Sequence, residues 1–456
     1  VCDQGTATTP NSSEDCLSLN IWTPTEAPSP RPVMVWLHGG DFRATSSNFA
    51  ATNGRRFAEE QKVLIVAANY RLGPFGFLTH RALTLEDRSY PSSGNYGLAD
   101  QRAALRWVRD NIAAFGGDPQ NVTLFGQSAG AISTSLHLLS PASRGLFHRA
   151  ILHSGQASAR TTTTAEAEAQ GDAFAQALGC TNPATVLACL RSATRDRVLG
   201  ALTAAQQQYS EQPGAVRWVP VVDGVEVPDQ PRELYRRGQF ARIPVVVGSV
   251  GDEGWNYVDR SFPVGLDTLQ YERAVRTEFG MDADAVLRMY PATAFANPKD
   301  ALARLTADVE VVCEARRLAR ALHADGAPVY VYSFEYIVND VTPGRSIHGL
   351  DQNFTFGNNF ANHPLTAADV SLFRTLSTFW ARFAETGDPN PPGAPVQWPP
   401  YRPGPFEPPV DPAYADWHYV FADRVGVAHH LRDAQCNFWE PFFFRSALGT
   451  VPAAAR

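Results

Sequence analysis

The chain has 456 residues, enough to bury a large core in one large domain or in several ordinary ones. With 44% hydrophobic and 19% charged residues and a formal net charge of -7, its balance is that of an ordinary globular protein. No Lys/Arg cluster offers a track for nucleic-acid phosphates, and no run of about eighteen apolar residues suggests a membrane-spanning helix.

In chain order, the first strong signal is the apolar run at 32–37, read as a buried strand that ends at His38-Gly39-Gly40. Residues 62–68 form a second short, β-branched run. Continuous apolar runs of this length suit parallel strands covered on both faces by helices. Residues 98–115 carry apolar side chains at helical spacing and stop at Gly116-Gly117-Asp118-Pro119. A short alternating strand at 121–125 follows, then a helix at 129–139, then a strand at 148–152. Residues 156–235, rich in alanine and glutamine, read as a mainly helical excursion. The sheet pattern resumes at 243–248 and 329–334, with a second helical excursion at 265–323 between them. A helix at 367–385, a Pro-rich stretch at 389–409 and an amphipathic segment at 431–444 complete the chain.

Alternating strands and helices in this order spell a mostly parallel sheet built by right-handed crossovers. There is no repeat and no low-complexity linker, so the expectation is one domain over 1–456 with helical excursions. The thirty-four prolines and thirty-four glycines then belong to turns and loops around that scaffold.

The six cysteines are Cys2, Cys16, Cys180, Cys189, Cys313 and Cys436. Two pairs close in sequence lie in polar, turn-rich stretches, which suits small disulfide-closed loops, although spacing does not fix connectivity. No closely spaced ligand pairs of zinc-site type occur, and no metal or cofactor is expected. An oxidising location follows, secreted or periplasmic. Three glycosylation-type triplets begin at Asn11, Asn121 and Asn353, and all three are read as chance occurrences.

The chemistry centres on Gly126-Gln127-Ser128-Ala129-Gly130, set between a strand and a helix. A serine at the apex of such a turn is a nucleophile elbow, and the flanking glycines leave room for the sharp bend. Acyl transfer also needs a base, an acid that orients it, and donors facing the developing oxyanion. Among eleven histidines, His348 is favoured because it sits in a glycine-bearing loop soon after the strand at 329–334. For the acid, Asp252 and Glu253 both lie just beyond a buried strand, and spacing does not choose between them. His38-Gly39-Gly40-Asp41 and the N–H of Ala129 are the expected oxyanion donors.

These stretches resemble the type-B carboxylesterases of the carboxylesterase and cholinesterase family. The matching segments are Ser13-Glu-Asp-Cys-Leu-Ser-Leu-Asn20, Trp36-Leu-His-Gly-Gly40, Asn69-Tyr-Arg-Leu-Gly73 and Gly94-Asn-Tyr-Gly-Leu-Ala-Asp-Gln101. Later come Phe115-Gly-Gly-Asp-Pro119, the elbow, Asp252-Glu-Gly254, His348-Gly349 and Phe356-Gly357, so the resemblance spans almost the whole chain. It implies an α/β-hydrolase fold and a bacterial-type esterase that acts on small-molecule esters without a cofactor. It further implies Ser128, Glu253 and His348 as the triad, with oxyanion donors at Gly40, Asp41 and Ala129. The disulfides it implies are Cys2–Cys16, Cys180–Cys189 and Cys313–Cys436. It also implies a segment ahead of Val1, present as a separate packed fragment or as part of a longer chain.

Three departures from the family pattern bear on substrate. Gln127 stands where glutamate is usual, which removes a negative charge beside the nucleophile. Asp41 replaces the third glycine of the oxyanion loop, and its carboxylate is expected to turn away from the oxyanion, toward Arg43. The loop from Cys2 to Cys16 contains no tryptophan, so an aromatic platform for quaternary ammonium ligands is missing there. The rival readings are a lipase, which would want an apolar mobile lid, and a non-catalytic binding protein, which would lack the nucleophile.

Overall fold

The computed structural model describes residues 1–4, 12–26, 30–157, 161–202, 218–360, 363–404 and 416–444. Asn11 of the first triplet, residues 158–160 and 203–217 of the first excursion and 405–409 of the Pro-rich stretch lie outside them. The chain has an α/β-hydrolase fold, a mostly parallel sheet flanked by helices and extended by helical insertions. Its contacts group into two compact units. One holds Val1–His148, Ala159–Ser210 and Ala215–Ala241; the other holds Arg149–Ser158, Glu211–Gly214 and Arg242–Arg456.

The first unit contributes β1 (Leu19–Trp22), β2 (Arg31–Leu37), β3 (Leu64–Ala68) and β4 (Gly117–Gln127), in the order β1-β3-β2-β4. β2 is parallel to both β3 and β4, while β1 runs antiparallel to β3. Val33, Val35 and Leu37 are fully buried, each contributing about 1.5–3 kcal/mol relative to exposure. The expected strands at 32–37, 62–68 and 121–125 are thus present, with β4 longer at both ends.

Helix α1 (Arg55–Gln61) leads into β3, and α2 (Tyr96–Asn111) precedes β4. The helical spacing to 115 continues past α2 as a 3-10 turn, Ile112–Phe115, ended by Gly116 at φ 85°. Helix α3 (Ala129–Leu139) follows β4 after one intervening residue, Ser128. The first excursion begins with α4 (Thr164–Ala177), capped reciprocally by Thr163 and Glu166. It also holds a two-residue ladder, Thr162–Thr163 against Val221–Val222, that the helical composition did not announce.

The second unit contributes β5 (Arg149–His153), β6 (Val245–Val250), β7 (Val329–Phe334), β8 (His418–Phe421) and β9 (Gly426–Ala428), adjacent in that order. The first four are mutually parallel and β9 closes an antiparallel hairpin with β8. β6 and β7 are buried at every position, which is why they read as largely apolar runs.

Helix α5 (Trp255–Ser261) follows β6. The second excursion holds α6 (Thr268–Phe279), α7 (Pro298–Ala307) and α8 (Cys313–Ala324), with a π-helical turn at Asp308–Val312 between the last two. Tyr271, Val275, Phe279, Tyr290 and Leu302 form its core with Trp439 of α11 (Asp433–Phe444). Between them lie α9 (Leu350–Phe356) and α10 (Ala367–Thr386), the latter capped by Thr366 and Asp369 and stopped by Gly387. Asn353 is buried in α9, where its amide donates to the Asn359 carbonyl, so that triplet is no open acceptor.

Three disulfides are formed, Cys2–Cys16, Cys180–Cys189 and Cys313–Cys436, and no described cysteine is free. No described helix is long and apolar enough to cross a membrane.

Candidate active site

In the first unit, Ser128 occupies the one-residue turn between β4 and α3 at φ 56°, ψ -123°. A non-glycine residue adopts such angles at a cost, which the surrounding packing must offset. The turn is tight because α3 packs against β2. A Cβ on Gly130 would lie 1.9 Å from the Leu37 carbonyl oxygen, so only glycine fits. Gln127 and Ala129 are buried while Ser128, at the apex, is partly exposed.

The loop after β2 turns sharply, with positive φ at Gly40 (104°), Asp41 (55°), Phe42 (56°) and Thr45 (68°). Its peptide groups are fixed from behind. The Gly40 carbonyl accepts from the N–H groups of Arg43 and Ala44, each at 3.0 Å. The Gly39 carbonyl accepts from the Thr45 hydroxyl at 2.6 Å and lies 2.8 Å from His38 Nδ1. At the elbow, the Ser128 carbonyl accepts from Ile132 N–H at 2.9 Å. In a trans peptide the N–H points opposite to its carbonyl. Anchoring these carbonyls therefore fixes the directions of the Gly40, Asp41 and Ala129 N–H groups, the expected oxyanion donors.

His38 itself is buried, stacked on Tyr70 with centroids 4.3 Å apart, and the Tyr70 hydroxyl donates to the His38 carbonyl at 2.6 Å. Burial pulls its pKa down to about 4, so the imidazole is neutral at ordinary pH. His38 is thus a fixture of the loop.

In the second unit, Glu253 and His348 come together. Glu253 follows β6 and is fully buried; its Oε1 accepts from Val250 N–H at 2.8 Å and its Oε2 lies 2.5 Å from His348 Nδ1. With a proton on Nδ1 shared with the carboxylate, the lone pair of the imidazole lies on Nε2, as a general base requires. Asp252 faces another way. It accepts from Ser346 N–H at 3.0 Å, donates its own N–H to the Ser346 carbonyl at 2.8 Å, and lies 3.6 Å from Arg345. The spacing left open which carboxylate meets the imidazole, and the geometry gives that contact to Glu253.

Helix α5 backs the histidine loop. Asn256 donates its amide to the His348 carbonyl at 3.2 Å, the Tyr257 ring lies 5.5 Å from the imidazole, and Arg345 sits 3.6 Å over Trp255. One turn beyond His348, the fully buried Asp351 accepts from the Tyr332 hydroxyl at 2.7 Å and from His153 Nδ1 at 3.0 Å. Trp380 Nε1 donates to His153 Nε2 at 2.9 Å, which leaves the His153 proton on Nδ1. Burial alone would raise the Asp351 pKa, but the bonds from His153 and Tyr332 outweigh it and hold the carboxyl below its ordinary range.

Of the expected residues, Ser128, Gly40, Asp41 and Ala129 fall within one unit, and Glu253 and His348 within the other. Thr45, Asn256 and Tyr257 were not singled out by sequence. Each lies outside the matching segments and meets them only through the fold: Thr45 touches His38 and Gly39, while Asn256 and Tyr257 touch His348. Among the described residues no group of His, Cys, Asp and Glu could hold a metal ion.

Fold and chemistry together define a serine hydrolase of the α/β-hydrolase class. The carboxylesterase family model matches residues 2–439. An acetylcholinesterase from Bungarus fasciatus is 33% identical over 464 aligned positions, covering 94% of this chain and 72% of that protein. The chain belongs to the carboxylesterase family, and its activity is hydrolysis of carboxylic esters.

Proposed function

We propose that Ser128, His348 and Glu253 form a catalytic triad that cleaves esters through a covalent acyl-enzyme. The observation that carries this reading is the contact of Glu253 Oε2 with His348 Nδ1, because it fixes the imidazole tautomer and leaves Nε2 as a base. Ser128 Oγ attacks the ester carbonyl as His348 Nε2 takes its proton. The oxyanion that develops is held by the N–H groups of Gly40, Asp41 and Ala129. Collapse expels the alcohol, which takes the proton from His348. Water, activated by the same imidazole, then releases the acid and restores Ser128.

The preferred substrates are neutral small-molecule esters. Gln127 supplies no negative charge beside the nucleophile, and the Cys2–Cys16 loop supplies no tryptophan for a quaternary ammonium group. The three disulfides support an oxidising location, secreted or periplasmic.

Replacement of Ser128 by alanine tests the reading. The purified variant should keep its fold, by circular dichroism and thermal unfolding, and lose turnover of a short-chain aryl ester. Near-normal turnover by that variant would remove Ser128 from the mechanism.

A further inference from the structure

We infer that Thr45 is a positioning residue for the oxyanion loop, its hydroxyl fixing the direction of the Gly40 N–H. The inference rests on the reading of that N–H as an oxyanion donor.

Thr45 is in the wrong conformation for its side chain. Its φ of 68° lies in the left-handed region, where a β-branched residue is a genuine outlier and glycine would sit without strain. A residue that holds such angles against its own preference needs an offsetting contact. Here the contact is specific: Thr45 Oγ1 lies 2.6 Å from the Gly39 carbonyl oxygen and 2.9 Å from His38 Nδ1. The third side of the triangle, His38 Nδ1 to the Gly39 oxygen, is 2.8 Å.

The hydroxyl has one proton, and the Gly39 carbonyl is its acceptor; its lone pairs remain open to Nδ1–H of the neutral imidazole. The Gly39 carbonyl and the Gly40 N–H belong to one planar trans peptide. Holding the oxygen on one side holds the N–H on the other, so the triangle sets the aim of a donor it never touches. Two further features keep the loop from relaxing. A Cβ on Gly39 would meet the Gln127 side chain at 2.8 Å, so the peptide is already pressed against the elbow. The Thr45 carbonyl accepts from the Gln4 amide at 3.0 Å, which ties the same residue to the Cys2–Cys16 segment.

A purely structural threonine and a positioning one respond differently to three substitutions. Thr45→Ser keeps the hydroxyl, Thr45→Val keeps the shape without it, and Thr45→Gly relieves the left-handed strain while deleting it. The readouts are kcat and KM for a short-chain aryl ester and inhibition by an aryl trifluoromethyl ketone, whose hemiketal oxyanion needs the same donors.

Deleting a whole oxyanion donor costs about 10²–10³ in kcat, so misdirecting one should cost about 10–100-fold, with KM within about twofold. Thr45→Val and Thr45→Gly should show this loss, with inhibition by the ketone weakened in parallel. Thr45→Ser should stay within about threefold of the parent on that scale. Thr45→Gly trades relief of the left-handed strain against the lost hydroxyl bonds, so its unfolding temperature should stay within roughly 5 °C of the parent, separating activity from stability. It also carries the test should valine not be accommodated.

Wild-type kcat and wild-type ketone inhibition in Thr45→Gly would overturn the inference, as would a loss in Thr45→Ser as large as that in Thr45→Gly. If Ser128→Ala is inactive while Thr45→Gly is fully active, only the role of Thr45 fails. If Ser128→Ala retains turnover, the underlying reading fails with it.

Discussion

His348 Nδ1 meets Glu253 Oε2 at 2.5 Å, and the backbone around this contact is arranged to hold it. Asp252 and Ile347 form an isolated parallel bridge, so the acid-bearing and histidine-bearing loops are joined main chain to main chain. Neighbouring carboxylates thus divide the work. Glu253 faces the imidazole, and Asp252 takes the Ser346 N–H and faces Arg345.

This division predicts unequal losses. Glu253→Gln removes the charge opposite Nδ1 and opens the tautomer to inversion, which should lower kcat on the order of 10³–10⁴-fold. Asp252→Asn keeps an oxygen for the Ser346 N–H and loses only the attraction to Arg345, so a loss of about tenfold or less is expected. Steady-state kinetics on both variants check the ranking, and the reverse order would assign the acid to Asp252.

Stability should fall on mild acidification, and His137 should be one cause. Its imidazole is buried between Gln101 Oε1 at 3.0 Å and Ser143 Oγ at 2.9 Å. Burial, reinforced by the positive charge of Arg102, pulls its pKa down to about 3. The unfolded chain takes up that proton below about 6.5 and the folded chain does not. The contribution is therefore complete above pH 6.5 and is lost as pH falls toward 3. One proton over the interval from pH 6.5 to 5 amounts to about 2 kcal/mol. Denaturant unfolding at both pH values should show a shallower loss in His137→Gln than in the parent, and parallel losses would remove His137 from the account.

Much of the fold is legible in the sequence because its central strands are covered on both faces. β2, β3, β6 and β7 read as largely apolar runs rich in Val and Ile or aromatic residues for that reason. The hairpin of β8 and β9 is short and follows a Pro-rich stretch, and its pairing is set by β7, far away in sequence. The π-helical turn at Asp308–Val312 has no compositional signature either. At the site, Ser128 and the glycines around it announce themselves because a tight turn restricts which residues fit. Thr45 does not, since its left-handed conformation contradicts its own propensity and is offset by contacts with His38 and Gly39, which lie outside its own local sequence pattern.

The cysteines give a chemical test. With all six paired, thiol titration of the denatured, unreduced protein should find essentially no free thiol. Cys313–Cys436 spans 123 residues and Cys180–Cys189 spans 9. Loop entropy then assigns roughly 5 kcal/mol to the first and roughly 3 kcal/mol to the second. Paired alanine variants compared by denaturant unfolding check the order. A larger loss from the 180–189 pair would contradict it.

The most direct test of the central claim is covalent. Active protein treated with a diisopropyl fluorophosphate-type reagent should gain one organophosphoryl adduct per chain by intact mass. Peptide mapping should place it on Ser128, turnover should disappear in proportion to labelling, and Ser128→Ala should take up none. An adduct on another residue that accompanies the loss of turnover, or full labelling of Ser128 with turnover intact, would contradict the account.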